Sequence, residues 1–335
     1  MMMELPCLAL YSRRDRSTSL FSVPELKPVA AAGDAHELLR NKTVCPAAGG
    51  MLLVRDPASK STFLWDAHQG GEQIRLPPLE GIEDDMFMYS QCHFSHKLIS
   101  DLGCVVLLLE GGNTTVMWYC HPGDDQWVKH EYDIGTLTLP YPEGDQYEKV
   151  PIYHITACRG KFYFNGLENT LHVLEFCPDP VFSTITVDDE SCDSEDDDDD
   201  DEEEEYDDEY EPHPSMAVFH VESGDELHMV TLYYASPRSN EIMECFVDKM
   251  DFSGRRWRGV DDLGGRAFLL SGSCFGVSCS CGDGARLRQD SVFLMNPRKR
   301  EMLVFDVKEG TRTLHNLDEQ APLADKAFWL LPKQN

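Results

Sequence analysis

Apolar residues along this chain recur at every second position in short runs, and Gly, Pro, Asn and Asp cluster between the runs. That alternation, enriched in β-branched and aromatic residues, is the signature of strands. The runs fall into six groups. The first is Cys7–Tyr11 with Ser19–Val23, and the second is Met51–Arg55, Ser61–Asp66 and Gln73–Leu76. The third is Cys104–Glu110, Thr115–Cys120 and Gln126–Tyr132. The fourth is Tyr153–Ala157, Lys161–Asn165, Leu171–Phe176 and Phe182–Val187. The fifth is Met216–Val221, Leu227–Tyr234, Glu241–Met250 and Trp257–Val260. The sixth is Cys274–Cys279, Ser291–Met295, Glu301–Asp306 and Thr311–Leu314. Long amphipathic helices are missing, and only His36–Arg40 suggests a turn of helix.

Repeated units of up to four short strands predict an all-β fold built from radial blades, a β-propeller of about six, in a single domain over residues 1–335. One blade cannot cover both of its faces, so several must pack around an axis. The first group is short of strands. The apolar segment "KAFWLLP" (Lys326–Pro332) is placed to complete it, which would close the ring by pairing the N- and C-terminal segments. A pair of β-sandwiches is the competing architecture.

Charge changes the picture at one place. The chain has 335 residues and a formal net charge of −31. Asp188–Glu211 holds 19 Asp or Glu and no Lys or Arg; without it, 29 basic residues face 41 acidic ones, leaving −12. Such a run repels itself and has too little apolar surface to offset the entropy of ordering. It is expected to be a disordered loop between blades, spanning 188–214. Closing a longer loop costs only about 0.6 kcal/mol per doubling, so the fold tolerates it.

The mildly acidic remainder argues against nucleic-acid binding, which draws most of its non-specific affinity from basic groups on phosphate. No apolar run approaches the roughly 18 residues that span a bilayer; the longest is Val105–Leu109. The first residues lack the basic start and long apolar segment of a secretion signal. The twelve scattered cysteines are therefore expected as reduced thiols in cytoplasm or nucleus.

The candidate chemistry is sparse. Cys279 and Cys281, with Cys274 near, offer thiolates without the paired spacing or fourth ligand of structural zinc, and the plain reading is a strand end running into a Gly-rich loop. Cys92, His93 and His96 lie close in "QCHFSHK" with no matching second half. "GDGARLR" (Gly282–Arg288) precedes a strand, as a hairpin or inter-blade loop would, and "NPRKRE" (Asn296–Glu301) suits a hairpin turn better than a nuclear address. No nucleophile elbow or Walker loop is present. No catalytic residue, metal or cofactor is assigned.

The acidic run has three readings: a solubilising loop, a contact for a basic protein, or a weak Ca²⁺ adsorber without fixed ligand geometry. The contact residues would be Asp196, Asp197, Asp198, Asp199, Asp200, Asp201, Glu202, Glu203, Glu204 and Glu205. Ser194, followed by Glu195, Asp196 and Asp197, suits an acid-directed kinase, and phosphorylation there would add negative charge.

The stretch from Met216 carries a further signal. It reads "MAVFHVESGDELHMVTLYY", then "FVDKMDFSGRRWRGVDDLGGRAFLLSG", then "DSVFLMNPRKREMLVFDV", and closes with "AFWLLP". This resembles the KIB-type domain, a plant family of β-propellers often found behind an F-box. Trp257, Leu263, Gly264, Gly265, Phe268 and Leu269 fit the family pattern. Upstream, "GGMLLVRDPASKSTFLWDAHQGGEQIRLPPL" and "ACRGKFYFNGLENTLHVLEF" match earlier blades, although Trp65-Asp66 stands where the family has Asn-Pro. Members with an F-box look like substrate receptors of ubiquitin ligases. Here the strand pattern starts at Cys7, so an F-box is not expected within this sequence. The resemblance implies a binding module; with the charge, hydropathy and motif readings above, the expectation is a non-enzymatic monomer that binds an unidentified protein partner and neither nucleic acid nor membrane. The alternatives are a binder of basic proteins driven by the acidic run, and an enzyme with a site in the propeller channel.

Overall fold

The structure is a computed structural model that describes residues 6–14, 17–29, 38–66, 72–97, 99, 101, 103–139, 146–166, 169–188, 216–236, 241–271, 276–281, 287–317 and 321–331. It is all-β, as the alternation predicts. The first sheet contains β1 (Cys7–Ser12), β2 (Ser17–Ser22) and β3 (Lys27–Pro28). The next meander is β4 (Thr43–Ala47), β5 (Met51–Arg55), β6 (Thr62–Asp66) and β7 (Glu72–Leu76). A six-residue helix α1 (Asp84–Tyr89) leads into β8 (Gln91–Phe94), β9 (Val106–Leu109), β10 (Val116–Cys120) and β11 (Val128–Glu131). A single parallel bridge, Ala47 to Cys92, joins these two meanders into one sheet.

A separate two-stranded ribbon follows, β12 (Thr136–Leu139) with β13 (Gln146–Lys149). Two four-stranded meanders come next. One is β14 (Thr156–Cys158), β15 (Lys161–Phe164), β16 (Thr170–Phe176) and β17 (Pro180–Thr186). The other is β18 (Met216–Ser223), β19 (Glu226–Tyr234), β20 (Ile242–Asp251) and β21 (Arg256–Gly259). The last sheet holds β22 (Arg266–Ser271), β23 (Val277–Ser280), β24 (Ser291–Asn296), β25 (Glu301–Asp306) and β26 (Thr311–Asn316). The final strand is β27 (Lys326–Leu330).

Several elements correct the sequence reading. The sixth group was expected to begin with a strand over Cys274–Cys279. Its paired strand is instead Val277–Ser280, at one edge of the sheet, with residues 274–275 outside the described set. Between it and β24 lies β22, antiparallel to β23 but parallel to β24, so this sheet departs from a simple meander. β4 was not anticipated because Pro46 breaks its strand pattern; in the structure β4 lies inside its sheet between β5 and β8, with Pro46 opposite Leu52 and the bridge to β8 made at Ala47. Leu38 and Leu39 stand in the expected helical turn, whose earlier residues fall outside the described set.

The core is a series of apolar layers, each shared by two neighbouring sheet units. Leu53 and Leu64 meet Leu108 and Cys120 in one, and Leu107 and Met117 meet Phe162 and Leu174 in the next. Leu171 and Val173 meet Leu227 and Met250; Val221 and Val230 meet Phe268 and Val292. Leu269 and Phe293 then meet Leu8 and Trp329, and Ala9 and Phe328 meet Val44 and Val54. Adjacent residues such as Leu107 and Leu108 thus serve different layers. That is why the 105–109 run is apolar without interruption: a strand buried on both faces has no polar phase.

The C-terminal strand shows the same economy. β27 pairs antiparallel with β1, from Cys7 opposite Leu330 to Tyr11 opposite Lys326. Ala327, Trp329 and Leu331 face one layer while Phe328 and Leu330 face the other. Trp329 Nε1 donates to the Leu270 carbonyl at 2.9 Å, and Ser271 Oγ donates to that of Ala327 at 2.6 Å. Buried Lys326 donates to the Met88 carbonyl and lies 4.0 Å from the centre of the Tyr89 ring. Fully buried Arg55 holds the other end of α1 through Asp84 at 3.0 Å and the Ile82 carbonyl at 2.8 Å.

Truncating Phe328 to Ala opens a cavity against two sheets, and the expected loss is about 3–5 kcal/mol. Leu314→Ala, at a half-exposed position on β26, should stay within about 0.5 kcal/mol. Urea melts of both variants measure this.

Candidate functional site

Strands β8, β14 and β18, each the first of a four-stranded meander, lie side by side, and β18 in turn lies against β23. The segments that follow them meet on one side of the fold. After β14 the chain turns through Arg159-Gly160, and after β18 through Gly224-Asp225. All four residues have positive φ, between +52° and +79°. Two-residue loops with both φ positive are type I′ turns, whose twist matches that of the flanking strands. Gly and Asp tolerate this region; Arg159 adopts it because its side chain is tied down. Its Nε donates to the Asp225 carbonyl at 2.7 Å, and its guanidinium lies 5.5 Å from the centre of the Phe252 ring. Cys158 Sγ reaches the same carbonyl at 3.5 Å.

Lys97, beyond β8, adds the third sheet. Its Nζ lies 2.9 Å from Asp225 Oδ1 and 3.5 Å from Glu222 Oε1. Glu222 Oε1 also accepts the Asp225 N–H at 2.7 Å. Beside Lys97, the Ser95 hydroxyl accepts the Val105 N–H at 2.8 Å and shares a hydrogen bond of 2.8 Å with His96 Nδ1. On the far side Ser223 and Ser278 share a hydrogen bond of 2.9 Å, and Arg266 Nε donates to Ser278 Oγ at 2.7 Å. The result is a polar mouth carrying both signs of charge. Lys97 and Asp225 are 58% and 65% exposed, so their charges remain open to an approaching group.

The electrostatics follow from this geometry. Burial pulls the Lys97 ammonium down, but the hydrogen bond with Asp225 and the charges of Glu222 and Asp225 outweigh it, and its pKa ends above the ordinary value. The Asp225 carboxyl is held below its usual range, first by the Lys97 hydrogen bond and then by the Lys97 charge. Burial pushes the Cys158 thiol up to about 12, reinforced by Glu222, so it stays protonated near neutrality and is a poor nucleophile.

Deeper between the same sheets lies His220, fully buried on β18. Its Nδ1 donates to the His154 carbonyl, its ring stacks 6.0 Å from Trp257, and a Cβ on Gly166 would sit 2.7 Å from Nε2. Only glycine fits at 166. Burial, together with the neighbouring His154, lowers the His220 pKa to about 4.

A family model for the KIB1-4 beta-propeller matches residues 10–306. The chain belongs to the KIB1-4 β-propeller family. No curated protein matches the chain. Among solved structures, AztD from Citrobacter koseri is 8% identical, with a TM-score of 0.36 over 95% of this chain and 97% of that one. Virginiamycin B lyase from Staphylococcus aureus is 9% identical, with a TM-score of 0.33 over 86% and 94%. The Swd1 β-propeller domain of Myceliophteria thermophila is 8% identical, with a TM-score of 0.29 over 95% and 99%. Scores this low bear on neither activity nor partners.

Within this KIB1-4 propeller, the residues singled out in sequence go separate ways. Cys92 and His93 are neighbours on β8 and so point to opposite faces. Cys92 joins Cys45, Cys104 and Cys120 in one apolar layer; His93 is buried, and burial lowers its pKa to about 3. His96 alone of that group reaches the mouth. Cys279 and Cys281 face the same apolar layer, where burial raises both thiols to about 11. Asn296 and Glu301 pair across the expected hairpin turn. Ser194 and the run from Asp196 to Glu205 lie outside the described residues. Lys97, Arg159 and Asp225, which build the mouth, were not anticipated.

His220 gives the fold an acid limb of defined sign. Its folded pKa lies below the ordinary 6.5, so the unfolded chain takes up the proton first as pH falls. Stability is therefore unaffected above pH 6.5, drops between 6.5 and about 4, and levels off below. The expected loss is on the order of 3 kcal/mol. His220→Asn keeps a donor for the His154 carbonyl but cannot titrate. Its urea midpoint should vary less over that interval than the wild type's.

Proposed function

We propose that this propeller is a protein-interaction module and that the polar mouth is where its partner binds. One observation carries the reading: Lys97, Arg159 and Asp225, from segments following three different strands, converge on one exposed point. Binding residues collect on loops that a rigid scaffold positions, and here packed sheets hold the turns. Exposed ion pairs contribute only about 0–1 kcal/mol to stability. The Lys97–Asp225 contact is thus one a partner can exchange for its own at little cost to the fold.

The family match supports the same reading. Six sheet units and the pairing of β27 with β1 suit a six-bladed ring, in which the mouth would lie at one end of the axis. By resemblance to the F-box relatives, the partner would occupy the place of a ligase substrate.

The test is affinity capture with three baits: wild type, Lys97→Glu/Arg159→Glu, and a deletion of residues 189–211 that spares the Asp188 hydrogen bond to Arg255. The partner should be recovered with wild type and with the deletion but lost with the charge reversal. The reversal should shift stability by no more than about 1 kcal/mol. Recovery unaffected by the reversal would remove the mouth from consideration. Loss on deletion alone would move the binding site to the acidic run.

A further inference from the structure

One cation at the mouth is held in place without being neutralised. The chain carries 60 Asp and Glu against 29 Lys and Arg, so carboxylates to pair with are in excess. On the hairpins beside the mouth, Lys161 pairs with Glu175 at 2.9 Å, Lys249 with Glu226 at 3.3 Å and Arg258 with Asp251 at 2.7 Å. Exposed Arg159 has no ion pair among the described residues. The carboxylates of the turn it touches, Glu222 and Asp225, are engaged by Lys97.

What holds Arg159 leaves the far end of its side chain open. Its Nε is engaged by the Asp225 carbonyl, and its guanidinium lies over Phe252, whose own ring meets Tyr163 at 5.3 Å. Nη1 and Nη2 make no hydrogen bond among the described residues. Together they form a planar fork of donors whose spacing matches two oxygens of a carboxylate or a phosphate. An arginine anchored in this way has already lost much of its rotamer freedom, so ordering it on binding costs less than ordering a loose surface side chain. Two further groups border the fork. Lys97, 58% exposed, reaches the same Asp225. His96 Nε2 lies 3.8 Å from where a Cβ would stand on Gly160, which places the ring against the Arg159-Gly160 turn.

We propose that Arg159, bordered by Lys97 and His96, is the receptor for one oxyanion of the partner protein, a carboxylate or a phosphate on a segment with little other negative charge. The inference rests on the mouth being the binding surface and names what the mouth recognises. The net charge of −31 sets the last condition, because a strongly acidic segment would be repelled as a whole. A single anion escapes this, since exposed charges are largely screened from one another beyond about 8 Å at physiological salt. A fork that grips two oxygens also fixes the direction of the segment, which a point charge such as lysine does not.

Titration of the full chain with inorganic phosphate and with acetate, each against chloride at equal ionic strength, tests this with the partner absent. The readouts are the NMR signals of the Arg159 Nε–H and of the Gly160 and Asp225 amides. They should shift saturably with phosphate or acetate and not with chloride. Arg159→Lys keeps the charge but loses the fork, and the amide signals should report binding weakened about fivefold or more. Lys161→Gln removes a neighbouring cation already paired with Glu175 and should leave the affinity within about twofold. Phosphate bound about tenfold more tightly than acetate identifies a phosphorylated residue as the partner's anion, and comparable affinities identify a carboxylate. The inference is overturned if neither anion shifts these signals beyond chloride, or if Arg159→Lys binds as the wild type does. The two readings fail separately. If the anions do not bind but the charge-reversed bait still loses the partner, the mouth stands and its anion receptor falls. If the anions bind but that bait keeps the partner, the mouth reading falls, and with it the claim that the oxyanion is the partner's.

Discussion

A sheet that is apolar on both faces cannot exist alone in water; it needs a neighbour on each side, and so does every neighbour. This constraint organises the whole chain. It accounts for the unbroken apolar runs, such as Val105–Leu109, in which alternate residues feed different layers. It also accounts for the role of the last strand, whose odd and even residues face two separate layers while its backbone pairs with β1. Ordinary polar groups are excluded from these layers. Those that enter are tied: Trp329 to Leu270, Arg55 to Asp84 and Ile82, and His220 to His154.

The same packing supplies the stiffness that a binding surface requires. Arg159-Gly160 and Gly224-Asp225 are tight turns at the ends of buried hairpins, and their strained backbone is fixed by strands on either side. Lys97, Arg159 and Asp225 therefore meet without any of them being buried. Charges held at a surface in this way add little to folding, which leaves them available for recognition.

Most of the architecture was legible because strand alternation is local. The outer strands of each meander were found nearly in place. What was missed are strands with a weak local pattern, among them two-residue β3 and the separate β12–β13 ribbon. β4 contains Pro46, β8 reads Gln-Cys-His-Phe, and β22 was passed over for residues nearer Cys279. Such strands are set by pairing with their neighbours more than by local β propensity. The mouth was illegible for another reason. Residues 97, 159 and 225 are far apart in the chain, and periodicity says nothing about which turns meet. The closest signal was the family motif around "ESGDEL", which runs through Glu222 and Asp225. It marked a hairpin without marking what the hairpin touches.

The pairing of β27 with β1 has a consequence for biosynthesis. Translation at about 5–20 residues per second must add some three hundred residues after β1 leaves the ribosome before its partner is made. For something on the order of 15–60 seconds the nascent chain carries "CLALYS" as an apolar strand with an open edge, the kind of edge that recruits foreign strands. Nascent-chain chaperones have most to protect in that interval, at the opposite terminus from the one still being synthesised.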